Sequence, residues 1–302
     1  MNKYIRFLVD SDYRFVVMGN WGFFKNMDDE KYLKKRFKAI LGIELDLDNP
    51  KTFNQKIQWL KINDRNSIYP KLVDKFEVKK WVAEKIGEEY VVPTYGIYDS
   101  FDQIDFSKIP NSFVIKCTHD SGSAIICNNK SDFDVNSAKK KIKKCMKKNL
   151  YYSGREWAYK EVTPRIIIEK NLLDDGKGNL SCEPVDYKLM CFNGKVKCTF
   201  TCTERYSDEG LKVTFFDNNW NVLPFERHFP KSKKIIEKPK SFDKMVELAE
   251  KLAEGMRFVR VDFYEVNEKI YFGEMTLYPG CGQEEFNPVE WDYKIGEMLK
   301  LQ

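Results

Sequence analysis

Apolar positions along this chain follow a helical rhythm at first and a mostly alternating one later, and the change falls near residue 90. The segment 27–42, MDDEKYLKKRFKAILG, has an acidic start, a basic body and a glycine stop at Gly42, which predicts a helix. Asn49-Pro50 then breaks the chain, and Thr52 is placed to cap a second helix with Phe53, Ile57 and Leu60 on one face. A third helix is predicted over 71–86, ended by Gly87. VVPTYGIY (91–98) reads as a strand with an edge-tolerated proline. From residue 112 the pattern mixes helix and strand: SFVIKCTH, a Ser121-Gly122-Ser123 turn, AIIC, a lysine-rich helix over 138–150, and RIIIE ending at Glu169. After the polar loop 172–184, VDYKLMCF and KVKCTFTC are joined at Asn193-Gly194, a strong hairpin signal. VTFFD follows, then a helix over 241–255 capped by Ser241 or Asp243 and stopped by Gly255. Alternation in FVRVDFYEV and KIYFGEM around Asn267-Glu268 predicts a second hairpin, on which Asp262 and Glu274 can face each other.

Composition adds limits to this picture. A chain of 302 residues, 42% hydrophobic, can bury a sizeable core and divides into two or three domains or subdomains. The first residues are interrupted by Arg6, Asp10, Asp12 and Arg14, so they offer neither a continuous apolar span nor a small-residue cleavage site. Eight cysteines are scattered without a CxxC pair, which fits a reducing cytoplasm and no structural zinc. The net charge of +5 suits an anionic small ligand better than a nucleic acid. Seven lysines fall within 138–150 around Ala138, Ile142, Cys145, Met146 and Leu150, predicting an amphipathic helix with a solvated basic face. A less favoured use of that face is to hold an anionic membrane surface or polyanion near the site.

Three stretches carry candidate chemistry. Asp262 and Glu274 on facing strands suit a hard divalent cation such as magnesium, which takes one or two carboxylates plus waters and phosphates. Lys116 ends a strand that runs into His119, Asp120 and the small-residue turn 121–123, whose backbone N–H groups can reach a phosphate. This loop is neither a Walker A sequence nor a GxGxxG turn, which argues against P-loop and Rossmann sites. Glu169 ends a very apolar strand and is followed by Lys170-Asn171-Leu172, a strand end suited to an adenine edge.

Taken in order, Lys75, Lys116 with its loop, Glu169-Lys-Asn-Leu172, Asp186-Tyr-Lys188, Arg260-Val-Asp262 and Glu274-Met-Thr276 ahead of Pro279-Gly280 resemble the ATP-grasp superfamily. The segments 49–61, 72–82, 155–172 and 272–282 look specifically like its TupA-like family, named for teichuronopeptide biosynthesis and associated with bacterial surface-polysaccharide loci. The resemblance implies an α+β fold in which two α+β subdomains, 91–170 and 171–302, clasp ATP behind a mainly helical region 1–90. It implies that Lys75 and Lys116 contact the α- and β-phosphates while His119, Ser121, Gly122 and Ser123 close over the phosphate tail. The hinge after Glu169 would bind adenine through backbone groups of Lys170 and Leu172, with Asp174 or Asp175 touching ribose. Asp186 and Lys188 belong to a strand whose basic residue points to phosphate or substrate, and Arg260 would stabilise the transferred phosphoryl group. Asp262 and Glu274 would carry Mg2+, with Thr276 standing where the superfamily usually has asparagine.

Such a site implies an ATP- and Mg2+-dependent carboxylate–amine ligase, joining an amine or amino acid to an acidic sugar of a polysaccharide precursor in the cytoplasm, at or near the inner membrane face. The alternative is a glycosyltransferase, since D-x-D occurs at Asp10, Asp46 and Asp132; these fall in a strand-like run, a turn and a helix start, without the flanking architecture of a sugar-nucleotide site. A degenerate nucleotide-binding scaffold is a third reading. The absence of a nucleophile elbow or Cys/His pairing fits chemistry done by positioning and charge rather than by a protein nucleophile.

Overall fold

A computed structural model describes residues 2–174, 185–204 and 207–301. Six helices come first: α1 (Lys3–Val9), α2 (Ser11–Asn20), α3 (Asp29–Leu41), α4 (Phe53–Asn63), α5 (Tyr69–Val73) and α6 (Glu77–Ile86). Local chemistry explains their ends. Asp28 caps α3, which stops at Gly42 in the left-handed region (φ 73°). Thr52 and Gln55 form a reciprocal capping box that starts α4 and leaves Phe53, Ile57 and Leu60 buried. The helix expected over 71–86 is in fact two. Asp74 interrupts it: one carboxylate oxygen caps the N–H groups of Phe76 and Glu77, while the other pairs with Arg165 at 3.2 Å. The first residues, read in part as strand-like, are helical, and Asp10 caps α2.

A four-stranded sheet follows, built from β1 (Thr94–Tyr98), β2 (Phe113–Cys117) and β3 (Ile125–Cys127), then α7 (Val135–Cys145), α8 (Leu150–Gly154) and β4 (Ile166–Lys170). Its order is β1-β4-β2-β3, with neighbours antiparallel. The lysine-rich helix begins earlier than expected, behind an Asp134 cap, and ends at Cys145; Leu150 opens the next helix. Ala138, Ile142 and Cys145 are buried against this sheet's core, so the basic face is the outer face of a packed helix. Lys139 and Lys143 pair with Asp102 at 2.5 and 2.8 Å.

The second sheet holds β5 (Val185–Phe192), β6 (Lys195–Thr203), β7 (Lys212–Phe216), β9 (Phe258–Val266) and β10 (Lys269–Thr276), with β8 (Glu226–Arg227) and α9 (Phe242–Leu252) between β7 and β9. Its order is β10-β9-β5-β6-β7. Both predicted hairpins form, and Asn193, Gly194, Asn267 and Glu268 all take positive φ, the requirement of a two-residue turn that follows strand twist. Ser241 occupies the cap position of α9 without capping it; its hydroxyl donates to Glu265 instead. Then β11 (Phe286–Asn287) pairs with β8, and α10 (Glu290–Glu297) packs on α4. One core unites the second sheet with α4, α5, α6 and α9, and a smaller one fills the first sheet. The sheets meet where Val91, just before β1, bridges Phe272 of β10. No helix among the described residues is long and apolar enough to cross a membrane.

Candidate active site

Between the two sheets lies a cleft of ≈ 480 Å³. Lys75, Lys79, Lys116, Lys170, Glu169 and Asp186 supply its charge, and Val92, Val114, Ile126, Leu172 and Phe272 are among its apolar walls. A space of this size, apolar on one part and cationic on another, fits a flat base joined to a polyanion.

The break in the α5–α6 run positions the first lysine. The Lys75 N–H donates to the Thr118 carbonyl at 3.0 Å and its ammonium to the Asp120 carbonyl, tying it to the loop after β2. From there Lys75 Nζ lies 3.9 Å from Glu274 on the opposite sheet. The loop is closed from within: Ser123 Oγ accepts the Cys117 N–H at 2.8 Å and donates to Asp120 at 2.5 Å. Ser121 and Gly122 remain exposed at its tip, and Gly122 (φ 84°) faces the cleft. His119 lies elsewhere. It is buried under the loop and does not line the cleft, and that burial pushes its pKa down, favouring the neutral ring.

Lys116 does not stand alone. Glu169, 5% exposed, receives Lys116 at 2.5 Å on one oxygen and Lys79 at 2.5 Å on the other. Lys79 was missed in the sequence, although it lies one helical turn beyond Lys75. Burial opposes the charge of Glu169, yet Lys116 and Lys79 outweigh it and hold the carboxyl below its ordinary range. The Lys170 N–H, expected at an adenine edge, is already given to the Pro93 carbonyl at 2.9 Å, a consequence of β1–β4 pairing. The turn at 171–174 beyond it carries Leu172 and Leu173 into the cleft; Asp174 lies in it, and Asp175 is outside the described residues.

The far wall depends on one glycine. Counting back from the Asn267-Glu268 turn pairs Gly273 with Asp262 and Glu274 with Val261, which would turn Glu274 away from Asp262. The structure has a β-bulge between Phe272 and Glu274, so Glu274 pairs with Asp262 and Thr276 with Arg260. A Cβ on Gly273 would meet the Asp262 carbonyl at 3.2 Å and the Tyr264 ring at 3.0 Å, a tight approach that a side chain could take only if these neighbours gave way by a few tenths of an ångström.

On this face the Arg260 guanidinium grips Asp262 at 2.6 and 2.7 Å and reaches Glu274 at 2.9 Å. Lys188, opposite Asp262 in register, bonds to it and to Asp186 at 2.7 Å. Burial works against the Lys188 charge, but Asp186 and Asp262 more than compensate and raise its pKa. Burial also opposes ionisation of Glu274, yet Lys75, Arg260 and Lys188 hold its carboxyl down at about 2. Thr276 Oγ1 is 3.5 Å from Glu274, at the edge of this cluster.

Asp262 and Glu274 therefore converge on one cation, the Arg260 guanidinium. Their charge, orientation and number fit a hard divalent ion, which needs only one or two carboxylates. Among the described residues no group of three or more His, Cys, Asp or Glu side chains forms a complete metal cage.

The depressed Glu274 pKa predicts a pH effect. Its ordinary value is 4.5 and its folded value about 2, so the stability it contributes is present above 4.5 and is lost as pH falls towards 2. Melting temperature should decline across that window, and less steeply in Glu274→Gln. Equal slopes for the two proteins would remove Glu274 as a source of the acid sensitivity.

A family model described as TupA-like ATPgrasp matches residues 55–300, and the chain belongs to that family. Among solved structures it is similar to D-alanine–D-alanine ligase from Bacillus anthracis complexed with ATP, at 13% identity and a TM-score of 0.42, covering 89% of this chain and 82% of that one. It is also similar to the D-alanine–D-alanine ligase from Helicobacter pylori, at 13% identity and a TM-score of 0.38, covering 83% of this chain and 70% of that one. For the ATP-grasp ligase PsnB complexed with minimal precursor the values are 8% identity and a TM-score of 0.40, covering 90% of this chain and 75% of that one. No curated protein matches the sequence.

The D-x-D runs lie away from this cleft. Asp10 caps α2, Asp46 accepts the N–H groups of Asp48 and Asn49 in a local turn, and Asp132 sits in a short 3-10 turn before α7. None of the three lines the cleft.

Proposed function

We propose that this protein is an ATP-dependent carboxylate–amine ligase acting on a uronic acid of a cell-surface, capsular or teichuronic-type polysaccharide or of its precursor. The observation that carries the reading is the Asp262–Arg260–Glu274 cluster next to the cleft, with Lys75 of the cleft wall 3.9 Å from Glu274 and Lys116 lining the same cleft. In and beside the cleft six cations (Lys75, Lys79, Lys116, Lys170, Lys188 and Arg260) stand against four carboxylates (Glu169, Asp186, Asp262 and Glu274), a positive excess suited to a polyphosphate.

In this reading Lys75 and Lys116 hold the α- and β-phosphates of ATP, the tip of the 121–123 loop covers its tail, and His119 supports the loop from beneath. The base packs against Leu172 beyond Lys170, with Asp174 near the ribose. A substrate carboxylate oxygen attacks the γ-phosphorus and ADP departs; the amine nitrogen then attacks the acyl carbon, phosphate leaves, and the nitrogen loses its proton. Arg260 and Lys188 stabilise charge on the transferred group, and Asp186 orients Lys188. Mg2+, held by Asp262, Glu274 and Thr276, would supply charge neutralisation at the phosphates. With those acids so engaged, Arg260 would be released from between them to meet the phosphoryl group.

The test is incubation with ATP, magnesium, a uronic-acid glycoside or nucleotide sugar and a pool of amines, following phosphate release and product mass. The expected product has gained amine minus water as ADP and phosphate appear together. Consumption of a nucleotide sugar to extend an acceptor, without ATP turnover, would replace the ligase by a glycosyltransferase.

A further inference from the structure

Helix α1 is secured at both ends, yet none of its residues is buried. Asn2 accepts the Tyr4 N–H at 3.0 Å, and Arg14 Nη1 donates to the carbonyls of Phe7 and Leu8 at 3.1 and 2.9 Å. A helix of seven residues does not persist in water on propensity; it needs an apolar face to bury. At about 100° per residue, Tyr4, Ile5, Leu8 and Val9 fall on one arc of α1. They are 83%, 53%, 74% and 69% exposed. Trp21 and Phe23, just after α2, extend the surface at 65% and 66% exposure, with Trp21 5.8 Å from Phe7 and 6.2 Å from Phe23. These six make up nearly half of the chain's large exposed hydrophobics among the described residues, which marks a patch rather than scatter.

Charge identifies what covers it. Over residues 2–25, Lys3, Arg6, Arg14 and Lys25 stand against Asp10, which pairs with Arg6 at 3.1 Å, and the exposed Asp12, which leaves a net positive charge around the patch. Lys25 Nζ lies 5.0 Å over the ring of Tyr152, four residues beyond Lys148 at the end of the lysine-rich segment. Aromatic and aliphatic side chains rimmed by lysine and arginine are the composition of a surface lying in lipid headgroups. We propose that α1 and the turn after α2 dock on an anionic lipid bilayer, with Leu8, Trp21 and Phe23 inserted at the level of the headgroups. The active site does not take part in this contact, so the proposal stands apart from the ligase reading.

The experiment is flotation of the full chain with phosphatidylcholine vesicles, with and without phosphatidylglycerol. The chain is expected to float with the anionic vesicles and to be released by raised salt. Leu8→Asp with Phe23→Asp should weaken binding by at least about tenfold, because an exposed apolar contact is lost. The melting temperature should not change, since both side chains are exposed. The proposal is overturned if the double variant floats like the wild type while Lys140→Glu with Lys144→Glu does not, which would move attachment to α7. It is equally overturned if the wild type ignores vesicles, whether it stays monomeric or forms a dimer that Leu8→Asp dissolves.

Discussion

Glu274→Gln is expected to lower ATP turnover by about 10²–10³-fold, the loss that follows removal of one preorganised electrostatic contact at a phosphoryl-transfer site. Its stability effect should be limited to the contribution that wild type loses below pH 4.5, reduced by solvent screening of a side chain that is 38% exposed. The amide keeps the shape of the carboxylate but removes the charge that Arg260 and Lys75 converge on. The same assay run with varied magnesium separates two roles: loss of metal affinity moves the magnesium dependence, whereas loss of Arg260 positioning lowers the plateau. An enzyme with unchanged turnover would remove Glu274 from the chemistry.

Glu169→Ala should have the largest effect on stability. It leaves Lys79 and Lys116 facing each other without the buried carboxylate that both contact at 2.5 Å. Breaking a buried charge cluster in this way costs about 3 kcal/mol, lowering the melting temperature by roughly 5 °C in a chain of this size. Adding Lys79→Met should recover part of the loss, because one of the two uncompensated charges is then gone. Saturating ATP should also restore some stability, since phosphate oxygens offer Lys116 a replacement partner. A melting temperature that stays put in Glu169→Ala would show that water, rather than Glu169, satisfies the two lysines.

The parts of the fold visible in the sequence were those set by local chemistry. Gly42, Thr52, Asn193-Gly194 and Asn267-Glu268 mark caps and turns that need particular side chains or positive φ, and each is used as read. Features set by distant partners were not visible. The interruption at Asp74 relies on Arg165, ninety-one residues away, and it is what brings Lys75 to the loop after β2. The bulge at Gly273 is equally silent in the pattern, yet it decides that Glu274 meets Asp262. Lys79 escaped notice because a lysine in an amphipathic helix normally faces water; its burial comes from Glu169, brought alongside by β4. His119 misled in the opposite sense, since its place beside a phosphate-type loop said nothing about which way its ring packs. Helices α1 and α2 were obscured by charged residues that serve as caps and rim rather than as breaks.

The central claim is that the cleft between the sheets takes ATP with its phosphates towards Lys75 and Lys116 and its base towards Leu172. A crystal structure with a non-hydrolysable ATP analogue and magnesium tests it most directly. The account predicts phosphate oxygens within hydrogen-bond distance of both lysines, a metal ion on Asp262 and Glu274, and Arg260 turned from those acids to the terminal phosphate. A nucleotide bound elsewhere, or an Arg260 still locked between the two carboxylates with phosphates in place, would contradict it.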